Sequence, residues 1–264
     1  MADLLDVLDI ALLHSASRWS LESKESRNVS AEWLADTYRR ILLAIRPEVF
    51  WELGAYHALF SRRLQKAIPE LVSHAFEANP HNYEKFGEKA RRDGVNYHLS
   101  AVGDEDGEVV FKIGRRVDDR ALEPTAGNNS VLTKPGNREY VDVTVPMVTV
   151  DSFAARHGLS GKASAVWIDT EGFAFQVLQG MRETLKSTSC VFVEVEDRQL
   201  WQDQKTAVEV RRFLFEEGFI PILRDFEYKQ QYNVLFVRPK ICERADVRLV
   251  LTLALQGPAG PQLA

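Results

Sequence analysis

The sequence is constrained most by a short apolar run that ends in an acid and then turns at a glycine. Val-Phe-Trp occupies positions 49–51, Glu52 follows, and a helical pattern of apolar residues begins soon after Gly54. Glycine adopts backbone angles that other residues avoid and lets another segment approach closely. The pattern predicts a strand, a tight turn and a helix, and ligands bind at the carboxyl ends of strands in open α/β sheets. We therefore expect this turn to form the floor of a site for a nucleotide-like cofactor.

Other apolar runs along the chain end in acids in the same way. Glu77 closes the second run, and Asp169 closes a later one, with Glu171 two residues beyond it. Helical patterns separate these runs, which predicts an α/β fold with a parallel sheet and right-handed crossovers. Residues 95–102 predict a third strand, and the acidic stretch 103–107 has the Asp-Gly signature of a hairpin turn.

The remaining segments indicate one large domain with additions at both ends. Residues 1–46 read as an N-terminal helical extension, with a first helix over 3–13. Residues 47–240 form the main domain, and within it 114–140 has hardly any apolar period. A loop of that length is typical of a functional lid or of disorder, and we expect a lid-like insertion. Residues 241–264 are expected to form a C-terminal tail.

Composition excludes several classes of function. The 33 basic and 38 acidic residues are well mixed and give a formal net charge of -5, so a nucleic-acid partner is not expected. The two cysteines lie far apart, which indicates a reducing compartment such as the cytoplasm and neither a zinc knuckle nor a disulfide framework. The acidic N-terminus lacks the features of a signal peptide, and no apolar run approaches the length of a membrane span.

Five blocks of sequence, taken in order, resemble the FkbM-type methyltransferases. They are residues 51–55, 76–80, 100–104 with Gly107, 148–152 and 168–172. The resemblance implies a Rossmann-like class I methyltransferase sheet of seven mostly parallel strands with the last hairpin reversed, preceded by N-terminal helices. It also implies an S-adenosyl-L-methionine-dependent enzyme that methylates a hydroxyl of a sugar, glycoside or secondary metabolite.

The same resemblance implies where the cofactor binds. Glu77 suits the ribose diol, because a carboxylate accepts two strong hydrogen bonds from vicinal hydroxyls. Glu52 is expected to contact the amino-acid head group, directly or through water, while Gly54 and Ala55 permit close approach. The further expected contacts are Ser100, Ala101 and Val102 beside the adenine, together with Ala78 and Asp169.

The candidates for the chemistry itself are Asp169, Glu171 and His57. Methyl transfer is an in-line displacement, so alignment supplies much of the acceleration and a base assists a hydroxyl acceptor. We expect Asp169 to face the cofactor and Glu171 or His57 to receive the acceptor proton. Two close carboxylates raise one another's pKa, which helps a base to work near neutral pH. We assign no metal, although Asp169 with Glu194 or Glu196 is an alternative site for a divalent ion.

Two other functions stay open on the sequence alone. An NAD-type oxidoreductase also places an acid after its second strand, but its first turn contains three glycines and here Gly54 stands alone. A non-catalytic member that binds only the cofactor or a partner protein is suggested by departures from the family pattern at Tyr56, Ala58, Trp167 and Ala174. The expected partner is a small hydroxylated acceptor, and a homodimer is one option for the oligomeric state.

Overall fold

Strands and helices alternate along the chain. A computed structural model describes residues 8, 12–13, 19–127 and 129–256, so most of the first predicted helix, over 3–13, lies outside the described residues. The helices are α1 (Lys24–Ile45), α2 (Leu59–Ala67), α3 (Pro80–Arg92), α4 (Val150–Arg156), α5 (Ala174–Gln179), α6 (Arg182–Ser187), α7 (Ala207–Glu216), α8 (Pro239–Cys242) and α9 (Ala245–Gln256). The strands are β1 (Val49–Leu53), β2 (Val72–Glu77), β3 (Asn96–Leu99), β4 (Ala101–Val102), β5 (Gly107–Val117), β6 (Arg120–Ala121), β7 (Arg138–Val148), β8 (Ser164–Ile168), β9 (Thr188–Glu196), β10 (Ile220–Arg224) and β11 (Gln231–Val237). None of the described helices is both long and apolar enough to cross a membrane.

The larger sheet has seven strands in the order β10-β11-β9-β8-β1-β2-β3. The five strands from β9 to β3 all run parallel to one another. At the other end, β11 runs antiparallel to both β9 and β10. The structure therefore confirms the predicted seven-stranded, mostly parallel sheet with a reversed strand in its last hairpin.

The central strand β1 is buried on both faces, because its side chains alternate between two apolar cores. Trp51 and Leu53 pack in one core, while Phe50 packs in the other. Helix α1 covers the second core, where the Tyr38 hydroxyl donates a 2.8 Å hydrogen bond to the Val166 carbonyl. The C-terminal segment also contributes, since α9 buries apolar side chains in this core. The part of the predicted tail up to residue 256 is therefore mostly helical.

The region after β3 differs from the expected third strand and hairpin. The chain changes sheets at Ser100, whose N–H donates to the Glu77 carbonyl at 3.1 Å, and β4 then pairs with β7 in a second sheet of order β4-β7-β5-β6. Strand β5 pairs with β7 instead of β4, so the predicted hairpin is wrong. The physical reason is Asp106, whose carboxylate accepts hydrogen bonds from the Thr149 N–H at 2.7 Å and from the Ser152 hydroxyl at 2.6 Å. These bonds hold the turn against the start of α4, next to the end of β7.

The lid-like insertion is shorter than the sequence indicated. Strand β5 continues to Val117, β6 covers Arg120–Ala121, and β7 begins at Arg138. The longest stretch outside these strands is therefore residues 122–137. The strand ends escaped prediction because their paired side chains are charged instead of apolar. Arg116, for example, pairs across the strands with Glu139, their nearest charged atoms 3.5 Å apart.

The turn after β1 yields a stability prediction. Gly54 has a φ of +82°, and a Cβ there would lie 1.8 Å from the Asp169 carbonyl oxygen. Gly54→Ala should therefore lower the free energy of unfolding by roughly 3 kcal/mol or more, as measured by urea denaturation. Gly161→Ala is the matched control, because Gly161 has a φ of +75° but meets nothing within 4 Å among the described residues. The control should lose roughly 1 kcal/mol, and equal losses in both variants would contradict the importance of the close approach.

Candidate active site

A cavity of about 180 Å³ lies at the carboxyl ends of β1, β2 and β8. Its wall includes most of the residues that the sequence singled out. They are Gly54, Glu77, Ala78, Ser100, Ala101, Val102, Asp169 and Glu171. Acids from separate strand ends therefore face one shared space.

The register of the parallel strands explains why these residues meet. Leu53 at the end of β1 aligns with Phe76 on one side and with Ile168 on the other. The loops that follow are joined by backbone hydrogen bonds. The Gly54 N–H donates to the Phe76 carbonyl at 3.0 Å, and the Asp169 N–H donates to the Leu53 carbonyl at 2.9 Å. Three strand ends are thus held together at the floor of the cavity.

Glu77 is positioned by backbone donors on both of its carboxylate oxygens. Oε2 accepts from the Tyr56 N–H and Oε1 accepts from the Asn79 N–H, each at 2.7 Å. The side chain is 6% exposed, and burial raises its pKa from 4.5 to about 7. Oε1 also accepts a longer hydrogen bond, at 3.5 Å, from the Asn82 side chain. Because each carboxylate oxygen accepts two hydrogen bonds, Oε2 keeps a lone pair for a ligand in the cavity, and Oε1 can accept from a ligand once it displaces the Asn82 amide. Glu77 therefore fits the role of an acceptor for two vicinal hydroxyls.

The rest of the wall fits a nucleoside. Val102, Phe111 and Phe173 supply apolar surface, and the carboxylates supply polar surface. At Gly54 the wall is bare backbone, since no side chain fits in front of the Asp169 carbonyl. A flat base against the apolar surface and a sugar at Glu77 match this arrangement, so the residues present fit S-adenosylmethionine.

Two of the predicted cofactor contacts lie away from the cavity wall. The Glu52 carboxylate accepts a 2.9 Å hydrogen bond from the Ser61 N–H in the first turn of α2. Glu52 is 5% exposed and caps that helix. A negative charge near a helix N-terminus is stabilised by the helix dipole. Ala55 packs with Ala58 in a small apolar cluster. Neither Glu52 nor Ala55 is one of the described residues that line the cavity.

His57 also lies outside the described residues that line the cavity. Its ring centroid is 4.6 Å from that of Tyr56 and 5.9 Å from that of Phe86, as in a packed aromatic group. Burial lowers its pKa, and the positive charges of Arg62 and Arg63 lower it further. The imidazole therefore stays neutral near pH 7, and it does not share the cavity wall with Asp169 and Glu171.

Asp169 and Glu171 lie together, and Glu194 from β9, which the sequence named with Asp169 as an alternative ion site, lies beside them. One carboxylate oxygen of each residue lies within 4.8 Å of the others. Burial raises the pKa of all three carboxyls, and the charge of Asp169 raises those of Glu171 and Glu194 further. This acid cluster, Asp169 with Glu171 and Glu194, adjoins the cavity through its first two members.

Several wall residues were not foreseen. They are Tyr56, Phe76, Asn82, Phe111, Gly127, Asn129, Val131, Thr170 and Phe173. Thr170 and Phe173 adjoin predicted acids and could have been proposed from that position. The insertion carries no such signal, because its contribution depends on folding back. There the Asn129 side-chain oxygen accepts a 2.9 Å hydrogen bond from the Gly114 N–H.

With the strand order and the cavity established, sequence comparison identifies the family. The model of the methyltransferase FkbM domain matches residues 52–221, which is more than half of the 264-residue chain. The chain belongs to the FkbM methyltransferase family. The matched segment runs from Glu52 on β1 to Pro221 on β10, and it includes the acid cluster. No curated protein matches this FkbM chain at a significant level.

Solved methyltransferase structures resemble this FkbM chain at low identity. The methyltransferase FkbM from Methylobacillus flagellatus KT is 10% identical with a TM-score of 0.48, and the match covers 72% of this chain and 43% of that one. The precorrin-6y C5,15-methyltransferase from Geobacter metallireducens GS-15 is 12% identical with a TM-score of 0.41, over 81% and 89% of the two chains. An O-methyltransferase family protein from Burkholderia thailandensis is 6% identical with a TM-score of 0.42, over 81% and 58%. The chain thus spans less than half of the Methylobacillus protein.

One departure from the FkbM pattern proves remote from the cavity. Trp167 is one of the departures from the family pattern, and its ring stacks on Phe192 with centroids 3.7 Å apart. It also packs near Phe60, on the face of the sheet that α1 covers. The replacement therefore adds to an apolar core and leaves the cavity wall unchanged.

The buried acid beneath the turn gives a pH-dependent prediction. Burial, opposed by hydrogen bonds from Ser61 and reinforced by the charge of Asp169, raises the pKa of Glu52 from 4.5 to about 7. The folded state therefore holds this proton more tightly than the unfolded chain. Its contribution to stability is fully present below pH 4.5 and is lost as the pH rises through about 7.

Glu52→Gln removes that titration, and the amide oxygen can still accept from the Ser61 N–H. Relative to wild type, the variant should gain up to about 3 kcal/mol of unfolding free energy between pH 5 and pH 8, measured by urea denaturation at both values. Glu84→Gln, at an exposed glutamate of α3, should show no such gain. A difference between wild type and Glu52→Gln that stays constant with pH would refute the assigned shift.

Proposed function

We propose that this chain is an S-adenosylmethionine-dependent O-methyltransferase that acts on a hydroxyl of a small sugar, glycoside or secondary metabolite. The observation that carries the proposal is the shared cavity, in which Glu77, the Gly54 turn and the pair Asp169 and Glu171 face one space. Family membership supports the methyltransferase class. The hydroxyl acceptor is our own step beyond it.

The proposed division of labour follows the walls of the cavity. Glu77 holds the ribose hydroxyls with the lone pairs that its backbone donors leave over. Ser100, Ala101 and Val102 border the base, and the Gly54 turn admits the head group. When bound, the cofactor supplies a methyl carbon that is already activated by the adjacent sulfonium charge. The protein then contributes mainly alignment, which is worth up to roughly 7 to 11 kcal/mol in favourable cases.

The proton of the acceptor hydroxyl requires a base, and Glu171 is the better placed of the two acids. It follows the strand end, lines the cavity and has a left-handed backbone with a φ of 49° that sets it apart from Asp169. Burial and the charge of Asp169 raise its pKa from 4.5 to about 8, so its ionised form is a stronger base than an exposed glutamate. Asp169 would orient the acceptor beside it.

The insertion is proposed to shape the acceptor side of the cavity. Gly127, Asn129 and Val131 form part of the wall. Hydrogen bonds hold the segment next to Glu77 and next to Glu171. The Asn79 side chain donates to the Pro124 carbonyl at 2.8 Å, and the Ser130 hydroxyl donates to the Glu171 carbonyl at 2.7 Å. A change in this segment would therefore alter which acceptor fits.

The cellular setting is proposed from the thiols. Both Cys190 and Cys242 are free. Free thiols are typical of a reducing compartment, which supports a cytoplasmic location.

The cofactor assignment predicts a loss of affinity in Glu77→Ala. Removing the carboxylate removes the acceptor for the ribose and for two backbone N–H groups, so S-adenosylhomocysteine should bind at least tenfold more weakly by calorimetry. Glu84→Ala is the control for a loss of charge nearby, and circular dichroism checks the fold of both variants. Unchanged affinity would remove Glu77 from the ribose, and tight binding of NAD by wild type would favour the oxidoreductase alternative.

The acceptor class is tested by transfer of a labelled methyl group from S-adenosylmethionine to a panel of sugars, glycosides and polyketide hydroxyls. We expect incorporation into at least one hydroxyl. Replacing residues 123–127 by a two-residue linker should then raise the KM for that acceptor more than the Kd for S-adenosylhomocysteine. Cofactor binding without transfer to any acceptor would favour a non-catalytic member of the family, and equal losses in the shortened variant would make the insertion purely structural.

A further inference from the structure

The acid cluster has more negative oxygens than its surroundings satisfy. Oε2 of Glu171 and Oε2 of Glu194 are buried and have no hydrogen-bond partner among the described residues. Other buried acids of the chain are treated differently. Glu77 receives two backbone N–H groups, and Glu196 accepts hydrogen bonds from the Gln204 and Gln231 side chains. The Gln231 side chain also acts on Glu171 and Glu194, but it leaves these two Oε2 atoms without a partner. A buried carboxylate oxygen without a donor is costly, so the two orphaned oxygens indicate a missing partner.

The charges around the cluster point to a cation as that partner. Glu196 and Asp225 add negative charge beside it. The positive charge that acts on Glu171, in the part of the chain that the structure describes, is Lys134. Its ammonium group also lies over the Trp201 ring, 4.7 Å from the centroid. One ammonium does not balance this many carboxylates at close range.

The spacing of the cluster fits a single ion. Oxygens bound to one Mg²⁺, Mn²⁺ or Ca²⁺ at about 2.1 to 2.6 Å lie about 3 to 5 Å apart. The three carboxylate oxygens lie within 4.8 Å of one another. The sheet is well suited to hold that spacing. Asp169 comes directly after β8, and Glu194 lies in the adjacent parallel strand β9.

We infer that Asp169, Glu171 and Glu194 bind one divalent cation of the hard, oxygen-seeking kind. Three carboxylates and no nitrogen or sulfur ligand are typical of Mg²⁺, Mn²⁺ or Ca²⁺ sites. Asp169 and Glu171 line the cavity, so the remaining coordination positions open toward it. This inference concerns metal binding alone and is tested without any methyl acceptor. A Glu171 oxygen that binds the ion cannot also take up the acceptor proton, so the base proposed above would act through the other oxygen of that carboxylate.

A competing explanation needs no ion. The Glu194 side chain forms a hydrogen bond with that of Asp169, so one proton shared between these carboxyls could neutralise part of the cluster. A shared proton predicts no saturable metal binding. The two explanations therefore differ in a direct measurement.

The test is a titration of the full chain with Mn²⁺ at pH 7.5, in which electron paramagnetic resonance reports the free ion. We expect one Mn²⁺ per chain with a Kd of about 1 mM or lower, displaced by Mg²⁺ or Ca²⁺. Glu194→Gln should weaken binding at least tenfold. Glu196→Gln is the matched control. It removes one negative charge only two residues from Glu194, but the Glu196 carboxylate already accepts hydrogen bonds from two side chains, so this variant should weaken Mn²⁺ binding less than threefold.

Absence of saturable Mn²⁺ binding by wild type would overturn the inference in favour of the shared proton. Equal losses in Glu194→Gln and Glu196→Gln would overturn it as well, because the effect would then be general charge. Glu171→Gln replaces Glu194→Gln if the latter fails to fold.

A second measurement on the wild-type chain locates the ion. Trp201 packs against Gly172, next to Glu171, since a Cβ at Gly172 would meet the Trp201 ring at 2.5 Å. Bound Tb³⁺, a hard cation used as the probe, should therefore emit on excitation of tryptophan, and Trp201→Phe should remove most of that emission. Emission that is absent, or unchanged in Trp201→Phe, would place the ion elsewhere and overturn the assignment.

Discussion

The close approach of two backbones at the floor of the cavity is the constraint on which the rest of the site depends. The Asp169 carbonyl lies where a side chain at Gly54 would be, and backbone hydrogen bonds join the loops after β1, β2 and β8. Parallel strands that end at the same level bring their following residues to one edge. An acid at each strand end therefore becomes one of a group, although Glu77 and Asp169 are 92 residues apart in the sequence. The chemistry of the site thus follows from the register of the sheet.

Burying several carboxyls together costs free energy, and the fold compensates some of these carboxyls with hydrogen-bond donors but not others. Burial raises the pKa of Glu52, Glu77 and the members of the acid cluster. Glu52 and Glu77 receive backbone donors, so their charged forms are partly compensated. The orphaned oxygens of Glu171 and Glu194 are not. Binding sites commonly retain such uncompensated groups, because a ligand supplies the missing partner.

The sequence could predict those features that local pattern determines. Apolar runs ending in acids located β1, β2 and β8, and the glycine after β1 located the turn, so Gly54, Glu77 and Asp169 were placed correctly at one sheet edge. The sequence pattern could not decide whether the side chain of a strand-end acid points into the cavity or toward the following helix. Glu52 lies one residue before the end of β1, and its side chain reaches the start of α2 instead of the cavity. Strand alternation fixes that difference only once the exact end of the strand is known.

Long-range contacts account for most of what the sequence concealed. The carboxylate of Asp106 binds the Thr149 N–H across 43 residues and holds the turn beside the end of β7, the strand with which β5 pairs. A local Asp-Gly signature contains no information about such a partner, so it predicted a hairpin that does not form.

The same limitation applies to the insertion, which we propose shapes the acceptor side of the site. The part of the wall that was hardest to predict is the insertion, whose hydrogen bonds reach Asn79 on one side and Glu171 on the other. The strand-end residues are positioned by the hydrogen-bonded sheet. The insertion is held by a few side-chain and backbone contacts on top of that frame. Differences in acceptor among proteins of this fold are therefore expected to reside in such insertions, while the sheet edge keeps the cofactor side constant.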